Sequence, residues 1–276
     1  MFLSVAGIDC SYDSTLVLKD VRLQVGKGDF VGIIGPNGSG KTTLLKAISA
    51  TLKPAKGAVL LEDIDVHSIK KLELAKKMAV VPQETSILFD FTAFDIVMMG
   101  RNPHVDRFRF ETSKDVDVVK EAMKLTGCLE FADRAVGSLS AGEKQRVAIA
   151  RALAQESSVM LLDEPTSHLD INFQLETMDL LRDLSDNTKL TVIAVFHDLN
   201  LAARYCRTLI ILKDGKILAA GACADVFTKD NIKKAYHVDA EIRYHPLTQS
   251  PYMIALRPGD SDRNMSGQLK TLAEKE

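Results

Sequence analysis

Cysteine is scarce and scattered in this 276-residue chain. Cys10, Cys128, Cys206 and Cys223 form no C-x-x-C pair, and no Cys/His spacing fits a zinc site. Disulfide-rich secreted scaffolds are excluded, and a reducing compartment fits best. No charge of one sign dominates either: 35 basic residues face 37 acidic ones, for a net −2. Nothing in that balance points to nucleic acid. No apolar run approaches the ~20 residues of a membrane span. The opening "MFLSVAGIDC" lacks the basic and apolar regions of a signal peptide. A membrane role is therefore expected to need a partner. Internal repeats are absent.

What is present is enough apolar material, 46 % of residues, for the core of one large domain or two small ones. Short β-type runs come first: "LSVAGID", "VRLQV" and "FVGIIG", divided by Asp, Gly and Lys turns. A helix is expected over Lys41 to Leu52, stopped by Pro54. "GAVLLE" and "KMAVVPQ" read as further strands. From Gln83 to about Ser158 the pattern turns amphipathic and helical, in "FTAFDIVMMG", "DVDVVKEAMKLTG" and "LSAGEKQRVAIARALA". Continuous apolar strands alternating with helices then return ("VMLLDE", "INFQLETMDLLRDL", "LTVIAVF", "NLAARYC", "TLIILKDGKILAAG"), which argues for a parallel sheet. The helical stretch, approximately 84–158, is expected to be an insertion into that α/β core, and the polar residues 258–276 a frayed tail.

Gly35-Pro36-Asn37-Gly38-Ser39-Gly40-Lys41-Thr42 fits G-x-x-x-x-G-K-[ST] between an apolar strand and a helix. Backbone N–H groups of such a loop curl around phosphate oxygens. Lys41 supplies a point charge for the β- and γ-phosphates, Thr42 a hydroxyl for Mg²⁺, and Thr43 a hydroxyl for the α-phosphate. "VMLLDE" aims Asp163 at the end of a buried strand, where it can join the Mg²⁺ shell. Glu164 follows, placed to polarise a water. The plain structural alternatives are a glycine-rich turn and a strand ending in acidic residues; the pairing of the two motifs favours the chemistry. A second phosphate-type element is Ser140-Ala141-Gly142-Glu143, which is also an S-x-x-E capping box. A capping box alone does not explain Gly142, which costs about 1 kcal/mol against Ala in a first turn. A close anion would explain it.

With these residues in this order the chain resembles the ATP-binding cassette family over nearly its whole length. The matching stretches are the P-loop, Gln83 in "VVPQE", the signature "LSAGE", "VMLLDE", the D-loop Ser167–Asp170 and His197 in "VFHDLN". Tyr12 matches the aromatic that stacks on adenine. Ala141 and Glu143 depart from the usual L-S-G-G-Q. The resemblance implies a P-loop NTPase core with a parallel sheet, an N-terminal antiparallel β subdomain and an inserted helical subdomain. It implies ATP and Mg²⁺ as ligands, and a head-to-tail dimer in which the P-loop of one chain and Ser140 and Gly142 of the other grip one nucleotide. His197 would contact the γ-phosphate and orient Glu164, Gln83 would touch Mg²⁺ or water, and Asp170 would pack across the dimer. Each has a plain alternative: Gln83 a strand-end polar residue, His197 a satisfied buried histidine, Asp170 and Tyr12 surface residues.

"FDIVMMGRNPH", "PTSHLDI", "HDLNLAARYC", "GKILAAGACADVFT" and the closing "AYHVDAEIRYHPLTQSPYMIAL" look like importer ATPases for iron–siderophore, haem and cobalamin. That subgroup implies a peripheral ATPase on the cytoplasmic face of the membrane, bound to a polytopic permease that a substrate-binding protein supplies, with no nucleic acid. Ile87 to His104, with Met98 and Met99, is either a docking face for a permease helix or ordinary core packing. An ATPase for export or for another solute, and a soluble non-transport cassette protein, stay open as alternatives; the latter often carries a coiled-coil insertion or tandem cassettes, and neither is present.

Overall fold

The computed structural model describes residues 2–83, 91–105, 111–167 and 169–257. The expected tail 258–276, part of the Ile87–His104 segment, and His168 of the D-loop lie outside the described residues.

Two long strands open the chain, β1 (Leu3–Tyr12) and β2 (Thr15–Val25), followed by β3 (Phe30–Ile34), α1 (Lys41–Ile48), β4 (Lys56–Leu61), β5 (Ile64–Asp65), α2 (Lys71–Lys77) and β6 (Met78–Val81). The helices α3 (Ala93–Met98), α4 (Ser113–Leu125) and α5 (Ala141–Ala154) come next. Strand–helix alternation resumes with β7 (Val159–Asp163), α6 (Ile171–Thr188), β8 (Thr191–Val195), α7 (Leu199–Tyr205), β9 (Thr208–Lys213), β10 (Lys216–Ala222), α8 (Cys223–Val226), α9 (Lys229–Tyr236), β11 (Asp239–Tyr244) and β12 (Pro251–Leu256).

Strands β6, β7, β8, β3 and β9 lie parallel, in the sheet order β10-β9-β3-β8-β7-β6, and β10 closes one edge antiparallel through the Asp214–Gly215 turn. Burial on both faces explains their continuous apolar runs. Phe30 and Ile34 of β3 join one core cluster with Met160, Leu162 and Phe196; Val31 and Ile33 join the other with Leu44, Leu161 and Val195. A second sheet, β2-β1-β4-β5, is antiparallel and packs on the second of these clusters. Helices α3, α4 and α5, between β6 and β7, enclose a third core of Ile96, Val97, Val119, Met123, Phe131 and Val147. The fold is thus the expected α/β arrangement with an antiparallel β layer and a helical segment. No helix among the described residues is long and apolar enough to cross a membrane.

One boundary differs from expectation. Helix α1 ends at Ile48 rather than Leu52, because Ala50 takes a left-handed φ of 56° and the N–H groups of Thr51 and Leu52 both return to the Lys46 carbonyl.

Candidate nucleotide site

The C-terminal edge of the parallel sheet gathers most of the predicted site residues. Strand β3 delivers Gly35, β6 runs into Gln83, β7 ends at Asp163 and β8 runs into His197. In-register pairing of Val81 with Leu162, and of Asp163 with Val195, brings Gln83, Glu164 and His197 out of three adjacent strands. Ligands of open α/β sheets sit at this edge.

Gly35 admits no side chain: a Cβ there would lie 2.1 Å from the Leu212 carbonyl oxygen. The loop then closes over Pro36, Asn37 and Gly38, with the Ser39 N–H donating to the Pro36 carbonyl at 3.2 Å. The Ser39 hydroxyl is buried against Gly35 and has no partner among the described residues. Gly40, at φ 102°, caps α1 without a side-chain bond, and the first turn of α1 carries no acidic residue. Its N–H groups therefore point at an open, positively polarised end. The Lys41 ammonium folds across the loop, donating to the Gly35 carbonyl at 2.8 Å and the Pro36 carbonyl at 3.1 Å. One of its three donors is left for another acceptor. Burial lowers its pKa, against the opposing charges of Glu164 and Asp163. Asn37, Gly38, Gly40, Lys41, Thr42, Thr43, Glu164 and Val17 line a cavity of about 450 Å³ here.

Two acid–polar contacts complete the site. Thr42 Oγ1 donates to Asp163 Oδ1 at 3.2 Å. Asp163 is pushed up from the usual carboxylate range by burial, and the neighbouring Glu164 charge adds to the rise. A hydroxyl and a desolvated carboxylate side by side are hard oxygen donors that suit Mg²⁺, whose charge would offset that burial. Glu164 sits at φ 51°. Gln83 Nε2 donates to its Oε2 at 2.8 Å and Ser167 Oγ does so at 3.0 Å, so its carboxylate is held from two sides.

The remaining predicted residues lie around this centre. His197 is exposed between buried Phe196 and the α7 cap Asp198, and its ring makes no hydrogen bond among the described residues. The buried, satisfied alternative for His197 is thereby ruled out. Tyr12, at the end of β1, is 41 % exposed, and Lys46 of α1 stands 5.9 Å from its ring centroid. Asp170 caps α6 by accepting from the Phe173 N–H at 3.0 Å.

Ser140 and Gly142 do not line the P-loop cavity. They begin α5 with a complete capping box: Ser140 Oγ accepts from the Glu143 N–H at 3.3 Å, and the Ser140 N–H donates to Glu143 Oε2 at 2.7 Å. Arg134 pairs with Glu143 at 2.9 Å. Those backbone and ionic contacts lower the Glu143 pKa, the bond from the Ser140 backbone most. Ala141 is an ordinary right-handed helical residue, so alanine there carries no strain. Gly142 is different. The ring of Phe173 covers it, a neighbour that the sequence reading did not supply.

Met98 and Met99 pack partly buried against the helical core. Arg101, beside them, is buried; it bonds Asp115 at 2.9 Å, the Ala154 carbonyl at 2.7 Å and Glu156 at 2.6 Å. Much of this stretch therefore serves the helical core and the end of α5. Val17 and Phe173 escaped the sequence reading because each sits in a regular element with no motif around it, and Arg101 because nothing in the stretch "FDIVMMGRNPH" tells of its burial against Asp115.

A family model described as ABC transporter matches residues 18–167. The cobalamin import ATP-binding protein BtuD of Halobacterium salinarum is 45 % identical over 248 residues, covering 90 % of this chain and 62 % of that protein. This chain therefore spans less than two thirds of that relative's length. The iron(3+)-hydroxamate import ATP-binding protein FhuC of Bacillus subtilis is 38 % identical over 249 residues, covering 90 % of this chain and 93 % of that one. Among solved structures, a metal-chelate type ABC transporter in an inward-facing conformation superposes with a TM-score of 0.82 at 27 % identity, over 93 % of this chain and 98 % of that one. The cassette MJ0796, in a dimeric post-hydrolysis state bound to ADP and Pi, superposes with a TM-score of 0.72 at 32 % identity, over 80 % of this chain and 99 % of that one.

Proposed function

The chain belongs to the ABC transporter family, and from that premise we propose that it is the ATP-hydrolysing subunit of an importer for a metal chelate of the iron–siderophore, haem or cobalamin type. The observation that carries the ATPase reading is the meeting of the uncapped α1 N-terminus with two fixed contacts, Thr42 to Asp163 and Gln83 to Glu164. The import reading is supported by the named cargo of the relatives. Two such subunits would pair head to tail and sit on the inner face of a membrane against a polytopic permease, which a substrate-binding protein would feed. The dimeric state of MJ0796 supports the pairing. Residues 1–257 would form the ATPase unit, with the helical insert at about 84–158.

In this reading the phosphates lie along the backbone from Gly35 to Gly40, with Pro36, Asn37, Gly38 and Ser39 shaping the curl. Lys41 holds the β- and γ-phosphates with its third donor, and Thr43 holds the α-phosphate. Tyr12 stacks on the base. Thr42 and Asp163, with Gln83, would hold Mg²⁺, which when bound neutralises phosphate charge. Glu164 accepts a proton from the attacking water, oriented by Gln83 and Ser167. His197 contacts the γ-phosphate from the end of β8. Ser140 and Gly142 of the partner chain close the far side.

Glu164→Gln is the direct test. An amide keeps the shape of the acid and is a poor base, so phosphate release should fall by about 10²–10⁴-fold while MgATP binding by calorimetry is retained. Light scattering should then show an ATP-dependent dimer. Hydrolysis at the wild-type rate would remove Glu164 from the mechanism, and efflux by a reconstituted complex would overturn the import direction.

A further inference from the structure

Gly142 and Phe173 meet where the first turn of α5 faces the first turn of α6. A Cβ on Gly142 would lie 3.0 Å from Phe173 Cγ, 3.1 Å from Cδ2 and 3.2 Å from Cδ1, over the body of the ring and tighter than ordinary van der Waals contact. One turn along α5, the Arg146 guanidinium stands 5.0 Å from the same ring's centroid. Arg146 also pairs with Glu176, which accepts from Asn172 Nδ2 at 2.6 Å. Residues 142 and 146 share a face of α5, and 173 and 176 share a face of α6. The loop before α6 is tied to the same place: Asp170 accepts from the Phe173 N–H, and Gln174 Nε2 donates to the carbonyls of Leu169 at 3.0 Å and Thr166 at 3.3 Å.

We propose that Phe173 is a positioning residue for the second phosphate-type element. Its ring is what requires residue 142 to be glycine, and it holds the Ser140 end of α5 in step with the loop that starts α6. The physical reason is the seam it spans. Helix α5 gives Val147, Ala150 and Ala154 to the helical core and Ala148, Ile149 and Ala152 to the sheet core, where Met178 and Leu181 of α6 also lie, but neither cluster reaches the first turns of the two helices. A flat ring laid on a bare backbone, with a guanidinium beside it, sets the spacing of two elements that no hydrophobic cluster joins at that point. The catalytic part of this inference rests on the reading that Ser140 acts on the partner chain's nucleotide.

Two measurements on the full-length chain separate the possibilities. In urea unfolding without nucleotide, Gly142→Ala should lower the midpoint in the wild-type background and raise it in a Phe173→Ala background, where only the helix preference for alanine remains. In steady-state hydrolysis, Gly142→Ala should lower kcat about tenfold with the KM for MgATP within about twofold, because the P-loop of each chain is untouched. The double variant Gly142→Ala/Phe173→Ala should be no slower than Phe173→Ala, and Phe173→Tyr should work like the wild type. If the double variant instead shows the product of the two losses, the glycine serves the nucleotide and the proposal falls. It falls as well if Gly142→Ala is fully active. If the unfolding cycle couples as expected but Glu164→Gln never pairs with ATP, the trans reading of Ser140 has failed and the ring–glycine contact stands.

Discussion

Helices α1 and α5 each begin at a phosphate-type motif, and they are built in opposite ways. Helix α1 starts from Gly40, which offers no side chain to the first turn, and has no acid there. Helix α5 fills its own first turn with Ser140, Glu143 and Arg134, and its last carbonyl, Ala154, accepts from buried Arg101. One end is left open and the other is complete within the chain. At Ser140 a cap and a ligand donor need not compete. Its oxygen accepts from the Glu143 N–H through a lone pair, while the O–H proton remains to be donated. A pre-oriented hydroxyl, already fixed and outside the P-loop cavity, is what a second chain would need to find.

The strongest way to break this comparison is to disable one end in each of two chains. Lys41→Ala removes charge-assisted bonds each worth about 1.5–3 kcal/mol, and Ser140→Arg places bulk and charge at the start of α5. Either homodimer should occlude no nucleotide. A forced heterodimer of the two should occlude one, because one site then joins an intact P-loop to an intact Ser140. Zero occluded, with two in the wild type, would return Ser140 to being a cap.

A smaller effect is expected at the far end of α5. Arg101→Met leaves Asp115 buried without its cation and the Ala154 carbonyl without its donor. The loss should be about 3 kcal/mol, the low end for a broken buried pair, since Thr112 still bonds Asp115 and Glu156 is half exposed. A shifted urea midpoint with an unchanged slope would show it, and an unmoved midpoint would refute it.

The smallest change in stability should come from Ser140→Asp, since Asp caps as well as Ser and the unfolding free energy should move by less than about 0.5 kcal/mol. Hydrolysis should nevertheless collapse, because a carboxylate cannot donate to phosphate and repels it. Retained hydrolysis in Ser140→Asp would mean that the cap alone was needed.

Much of this layout is legible in the sequence. The P-loop spacing, the apolar run into Asp163 and Glu164, and the switch of period between Gln83 and Ser158 each report a local rule: chain reversal by glycine, strand burial, helical amphipathicity. The end of α1 is not legible there: it falls four residues before Leu52, because the left-handed Ala50 leaves no compositional mark. Gly142 was legible as a glycine needing a reason; the reason was not, since Phe173 is 31 positions away and carries no motif of its own.

The sequence by itself determined which groups exist and in what order: a loop free of side chains before α1, a buried strand ending in two acids, a capping box before α5. These follow from neighbours along the chain. Only the tertiary structure decided which of them meet. Sheet order brings Gln83 to Glu164 and Thr42 to Asp163 from strands and helices far apart in sequence. Packing of α5 on α6 puts the Phe173 ring where a methyl group would have been. Contacts of that kind depend on long-range pairing, and no local pattern encodes the distance between two elements that touch only after the chain has closed.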